Sequence, residues 1–364
     1  EHNNRAQTVL RFSTSGIVIA SPRAMEAVDR RQPALTVYNP QLLSTGSRTY
    51  FFEIDSSVDF ASTGVQRSGA IAEGVLRTGW QVPQALATGR YFWRVRTETG
   101  GIFDEWTTSS FFVDSVAGFQ QRAADWRQST GTFELAADGV TLPWQAEGQK
   151  FVQAGEVFSP AIGPAHRWKN FRAVHSVRHL GSDSAGASVQ FQLFGRRRAG
   201  AAWQLVVPDL DNPHDLSAID AVRYPFLQIK AVLADDDGFD SPLLQGWRVD
   251  FEPLGDLAIG KKTVALSADS VLQGGEVAIS AQVFYFGEQQ PDSVAVALAL
   301  QDTQNQRTVL STQNVPFGPS GFAEAAFQWQ SSQPGQYTFF VLVDLEDVLQ
   351  APFQFNNSNS FAIA

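Results

Sequence analysis

One pattern constrains this chain more than any other. Apolar and polar residues alternate with period two, and the 3.6-residue period of an amphipathic helix is almost absent. Tyr50, Phe52 and Ile54 interleave with Phe51, Glu53 and Asp55; Tyr91, Trp93 and Val95 interleave with Phe92, Arg94 and Arg96. Period two sends successive side chains to opposite faces of a strand, so one row of each set can be buried while the other meets water. Clusters of Gly, Pro, Asn, Asp and Ser break these runs at about the spacing of sandwich strands. The expected fold class is all-β, as three consecutive antiparallel β-sandwiches whose stiff modules are kept aligned by short linkers.

Composition limits what those sandwiches do. The 364 residues allow two to four domains, and a 43% hydrophobic content with 28 Phe and 9 Trp is enough for real cores. A formal net charge of −10 speaks against nucleic acid and against an anionic membrane surface, both of which select basic faces. With 0 Cys there is no disulfide, thiolate metal site or cysteine nucleophile. No apolar run approaches the roughly 18 residues of a membrane-spanning helix. The sequence opens Glu1-His2-Asn3-Asn4 and its only methionine is Met25, which reads as a processed chain or a piece of a longer one.

Four segments are expected: 1–16 as a linker or the end of a preceding domain, then sandwiches over 17–114, 115–253 and 254–364. In the first, Leu86-Ala87-Thr88-Gly89-Arg90-Tyr91 ahead of a strand resembles the tyrosine corner of fibronectin type III modules. That resemblance implies that the Tyr91 hydroxyl bonds backbone near Leu86, and that Trp106 covers the bottom of the core. In the second, the run from Tyr224 to Lys230, an acidic loop, then Pro242-Leu243-Leu244 and Trp247-Arg248-Val249 resemble discoidin-like jelly-roll modules. The third resembles the bacterial cell-adhesion-related immunoglobulin-like domain. The matching positions are Asp256 and Leu257 at its start, Gly275 and Glu276 before a long strand, and Asn356 and Asn357 before the last strand. It departs from that pattern at Phe286-Gly287-Glu288, where Asn-x-Gly is usual.

The order of the modules, with the segment from Gly118 to Leu135 between the first two, resembles the noncatalytic region of gingipain-like proteins of type IX secretion systems, the sortase-like component of that system included. A cysteine peptidase domain would then lie elsewhere in the parent protein. The resemblance implies a bacterial protein, secreted or on the cell surface, whose partners are other domains of the same protein or other surface proteins.

Chemistry is sparse. His175 and His179 have the H-x-x-x-H spacing, but on a strand their Cα atoms stand ~13 Å apart, and two surface histidines are the plainer reading. Asp235, Asp236, Asp237 and Asp240 crowd one loop, as calcium-binding carboxylates do, although their spacing is not that of an EF-hand and a solvated acidic turn is the plainer reading. Asp209, Asp211 and Asp215 form a weaker cluster of the same kind, and Arg196-Arg197-Arg198 reads as a solvated hairpin turn or an anion contact. Asp344, Glu346 and Asp347 sit too close together for a glycosidase pair held across a cleft. Trp144, Trp168 and Trp203 lie outside the clear alternating rows and are either core residues or platforms for sugar rings. No nucleophile elbow, dinucleotide fingerprint or phosphate loop is present. The expectation is therefore a noncatalytic region with no cofactor, calcium in the Asp235–Asp240 loop being the one candidate ion. Its role would be to space, dock or stabilise a larger secreted protein. The alternative is a surface adhesin or carbohydrate-binding segment with glycans as partners.

Overall fold

The computed structural model describes residues 16–40, 48–179, 186–198, 200–287, 290–301, 306–318, 321–330, 336–343 and 358–363. It is 59% strand and 3% helix, and the helical residues form two short 3-10 turns, Ala123–Gln128 and Lys261–Thr263. Three hydrophobic cores account for the alternation.

The first core is built from Leu35, Val37, Tyr50, Phe52, Ile54, Trp93, Val95 and Phe111. The strand Thr49–Asp55 buries Tyr50, Phe52 and Ile54, while Phe51 and Glu53 stay partly exposed, so one face of the pleat takes the apolar row. Across the sandwich lies a small sheet of Val18–Ser21, Ala34–Tyr38 and Arg77–Gln81. The second core holds Trp126, Trp168, Phe171, Phe191, Ile229, Leu233, Trp247 and Val249. Met25 joins this second core although it precedes most of the first module in sequence. The third core holds Val277, Ile279, Val283, Val296, Leu298, Phe327, Phe339 and Val341, between a sheet centred on Glu276–Phe286 and one centred on Ser293–Gln301 and Tyr337–Val343.

The connections between the sandwiches are short, and the first two sandwiches also share a sheet. One 13-stranded sheet passes from the first core into the second. The short strand Glu26–Val28 makes the connection. It pairs parallel with Thr107–Val113, Phe111 standing opposite Glu26, and antiparallel with Gly118–Arg122, Gly118 standing opposite Ala27. Gly118–Arg122 in turn pairs with the long strand Asp240–Pro253, from Gly118 opposite Asp250 to Arg122 opposite Gly246. The strand that enters the second sandwich and the strand that leaves it are thus side by side. Gly118 is required there, since a Cβ would come within 2.3 Å of the Val249 carbonyl oxygen.

Candidate functional site at the joints between the sandwiches

Buried or partly buried ion pairs lie where the sandwiches meet. At the neck of the second sandwich, Arg248 on the outgoing strand is 3% exposed. Its guanidinium donates to Asp114 Oδ2 at 2.6 Å and to the Val116 carbonyl at 2.6 Å, both on the ingoing segment, and to Asp250 beside it. Two further backbone bonds close the neck: the Phe251 amide to the Ala117 carbonyl at 3.2 Å, and the Leu254 amide to the Pro164 carbonyl at 3.0 Å. Burial alone would raise the Asp114 carboxyl. Hydrogen bonds from Ser115 and the positive charge of Arg248 outweigh it and hold the group below its ordinary value.

The first and third sandwiches touch directly. Arg77 Nη2 donates to Asp256 Oδ2 at 2.7 Å, and the Tyr38 hydroxyl donates to the same oxygen. The Arg77 guanidinium is held between two rings, 4.1 Å from the Tyr38 centroid and 3.9 Å from that of Phe286. Burial pulls Arg77 down to about 10, against the favourable charge of Asp256. Glu73 adds a looser pair with Lys262 at 3.7 Å and a closer one with Arg48 at 3.3 Å. Gly255, just before Asp256, lies against Tyr285, whose hydroxyl a Cβ there would meet at 2.0 Å. A third pair joins the first and second modules: Arg90 Nη2 donates to Asp125 Oδ1 at 2.6 Å, and Asp125 also accepts from the Arg122 amide at 3.1 Å.

Asp256, Arg248 and Phe286, named from sequence only as positions of a family resemblance, lie at these joints, and the candidate site residues fall elsewhere. Tyr91 is the third residue of the strand Gly89–Thr99, and its hydroxyl accepts a hydrogen bond from the Ala87 amide at 3.1 Å. The backbone of Leu86 is already engaged with Arg31, its amide donating to the Arg31 carbonyl at 2.7 Å and its carbonyl accepting from Arg31 Nε at 2.9 Å. Trp106 does not cover the bottom of the core. Thr107 stands opposite Val95 on the inward face, so Trp106 falls on the outward one, where the guanidinium groups of Arg94 and Arg96 lie 4.4 and 4.5 Å from its ring. Trp93 is the core tryptophan, and its Nε1 donates to the Pro22 carbonyl at 3.1 Å.

In the acidic loop, Asp235 and Asp237 each turn one carboxylate oxygen onto backbone amides of their own turn. Asp235 Oδ2 accepts from the amides of Gly238 at 2.5 Å and Asp240 at 3.3 Å, and Asp237 Oδ1 accepts from the Phe239 amide at 2.9 Å. Asp240 Oδ1 lies 3.1 Å from His179 Nδ1. Asp236 contributes its backbone carbonyl to Gln153. Among the described residues, no group of three His, Cys, Asp or Glu side chains is arranged to hold a metal ion. His175 packs 6.1 Å from the Phe191 ring and stands opposite Leu244, whereas His179 stands opposite Asp240. Asp215 caps a turn through the Ser217 amide at 2.8 Å, and Asp211 reaches His214 at 3.7 Å. Arg196 stacks on Trp203 at 4.2 Å, Trp168 is fully buried, and Trp144 is 41% exposed with its ring edge-on to Phe151 at 5.1 Å. Asp344, Glu346, Asp347, Asn356 and Asn357 lie outside the described residues.

Sequence reading missed Arg77, Arg90 and Arg248. No local signal marks them: Arg77 opens a mixed strand, Arg90 shares its strand with Arg94 and Arg96, and Arg248 shares its own with Asp240, Asp250 and Glu252. No helix among the described residues is long and apolar enough to cross a membrane.

No family profile matches this sequence. No curated protein matches it either. Among solved structures it is similar to a CARDB domain from Pyrococcus furiosus, crystallised in complex with di-metal ions, with 22% identity over 30% of this chain and 93% of that one and a TM-score of 0.25. It is also similar to trypsin-activated alpha-2-macroglobulin from Escherichia coli, with 13% identity over 95% of this chain but 23% of that one and a TM-score of 0.23. A tetra-tandem repeat in the extending region of a large adhesion protein shares 11% identity over 93% of this chain and 98% of that one, with a TM-score of 0.18. Likenesses at these scores carry nothing about function.

Proposed function

We propose that this chain is a noncatalytic, extracellular or cell-surface β-sandwich region that spaces and docks parts of a larger secreted protein. The observation that carries the reading is the continuity of the joints: a single sheet crosses from the first core to the second, and a buried ion pair ties the first module to the third. A region built to hold its modules in fixed relation suits a spacer. The placement within a gingipain-like, type IX secretion protein rests on the segment Gly118–Leu135, and a cysteine peptidase domain encoded upstream in the full-length gene would support it.

The test is turnover and binding together. The purified chain is expected to leave a generic peptide library and a generic glycan library uncleaved. Turnover that disappears on a single substitution contradicts the reading. Binding on a glycan array that disappears in Trp144→Ala would favour the adhesin alternative, because Trp144 is the exposed tryptophan that could stack on a sugar ring.

A further inference from the structure

We propose that the paired strands at the neck, together with the Arg77–Asp256 contact, make the second sandwich a side arm that lies off the line of tension between the first and third. The inference deepens the spacer reading, since a spacer between anchored parts is pulled.

The neck is made of two antiparallel strands whose open ends face the other modules. Gly118 stands opposite Asp250, and the ladder runs inward from there to Arg122 opposite Gly246. From Asp250 the outgoing strand reaches back to Asp240, so the far end of the arm is ~30 Å away at about 3.3 Å per residue. If tension drew Asp114 and Leu254 apart, it would break the ladder bonds one after another from the open end, and bonds loaded singly resist far less than bonds loaded together. A neck of this geometry, left to itself, opens early.

Two devices oppose that. Arg248 lies across the open end and binds Asp114 and Val116 on the segment leading into the opposite strand, so the first ladder bonds cannot separate until its charge-assisted bonds break. The second device acts before the neck is loaded at all. Asp256 lies at the start of the strand Asp256–Ala258, which opens the third module, and it is held by Arg77 and Tyr38 of the first. Phe286, opposite Asp256 in the third module's sheet, closes over the same guanidinium. Tension between the first and third modules therefore passes through this contact and bypasses the neck while the contact holds.

Single-molecule pulling on the full chain tests this, and the absence of native cysteine lets tethers be placed at the two ends alone. Release of residues 115–253 would appear as a lengthening of about 480 Å at about 3.5 Å per residue, the largest of the three steps. In the wild type that step is expected at forces no lower than the other two. In Asp256→Asn, and separately in Arg248→Met, it becomes the first event and its force falls at least twofold. Asp114→Asn, which keeps the side-chain shape at a partly exposed position, carries the test if Arg248→Met does not fold. If the largest step comes first in the wild type and at the same force in all variants, the second sandwich is in the line of tension and the proposal is wrong. That result would leave the spacer reading standing, because the turnover and array measurements do not depend on it.

Discussion

Arg77 and Asp256 stand 179 positions apart in the sequence and 2.7 Å apart in space, and between them they join the first sandwich to the third. Both side chains are largely buried, at 15% and 6% exposed. Removing Arg77 leaves the buried Asp256 carboxylate without its cationic partner. Arg77→Met is therefore expected to cost about 3–5 kcal/mol at the joint, read as an earlier unfolding transition in a urea titration. The double change Arg77→Met with Asp256→Leu should recover most of that loss, since an apolar pair leaves no stranded charge. A single mutant that melts like the wild type would show that the joint contributes nothing.

The Tyr91 hydroxyl has a smaller effect. It accepts from the amide of Ala87, a position water can reach. Tyr91→Phe should destabilise the first module by about 0.5–1 kcal/mol, because water takes over the amide when the hydroxyl leaves. Thermal melts of the two proteins decide it, and a loss above about 2 kcal/mol would mean the hydroxyl has another buried role.

Acid should loosen the neck. Asp114 is held below its ordinary value despite its burial, and Asp55 is too: burial pushes it up, but hydrogen bonds from Ser62, Ser57 and Ser56 more than offset that. A carboxylate lowered in the folded state contributes stability that is fully present above the unfolded value of 3.8 and is lost as pH falls through the folded one. The melting temperature is expected to hold from neutral pH to about pH 5 and to fall below about pH 4. In Asp114→Asn the acid-side fall should be shallower. An identical fall would show that Asp114 contributes nothing to acid sensitivity.

Calcium should change little. The carboxylates of Asp235 and Asp237 already accept backbone amides of their own turn. Millimolar calcium and chelator are both expected to leave the melting temperature unmoved, whereas a bound ion would raise it by mass action. A rise of several degrees that disappears in Asp235→Asn would restore the acidic loop as an ion site.

Much of the fold was legible because period-two alternation is a local property. Tyr50, Phe52 and Ile54 could be assigned to a buried face from seven residues of sequence, and all three are buried. The face of Trp106 is not a local property: it follows from the register of the next residue, Thr107, against Val95 on the neighbouring strand, which no single segment carries. The joints were illegible because their partners are distant. Arg248 meets Asp114 across 134 positions, and neither residue has an unusual neighbourhood in the chain. The segment Gly118–Leu135 stood out in the sequence, and the structure gives it a physical content. Gly118 lets the outgoing strand pass, Asp125 takes Arg90, and Trp126 packs edge-on against Trp247 at 5.0 Å.

A spacer of this kind requires the three sandwiches to be held in fixed relation to one another. Pulsed electron-electron distance measurement tests it directly, because spin labels can be placed on cysteines introduced into a chain that has none. Labels at Thr108, Leu205 and Val309, exposed strand positions in the first, second and third sandwiches, give three pairwise distances. Each is expected to be a single narrow peak no broader than the label's own spread, with the Thr108–Val309 peak broadening in Arg77→Met. Broad, overlapping distributions in the wild-type background would mean that the sandwiches move independently, and would contradict the spacer reading.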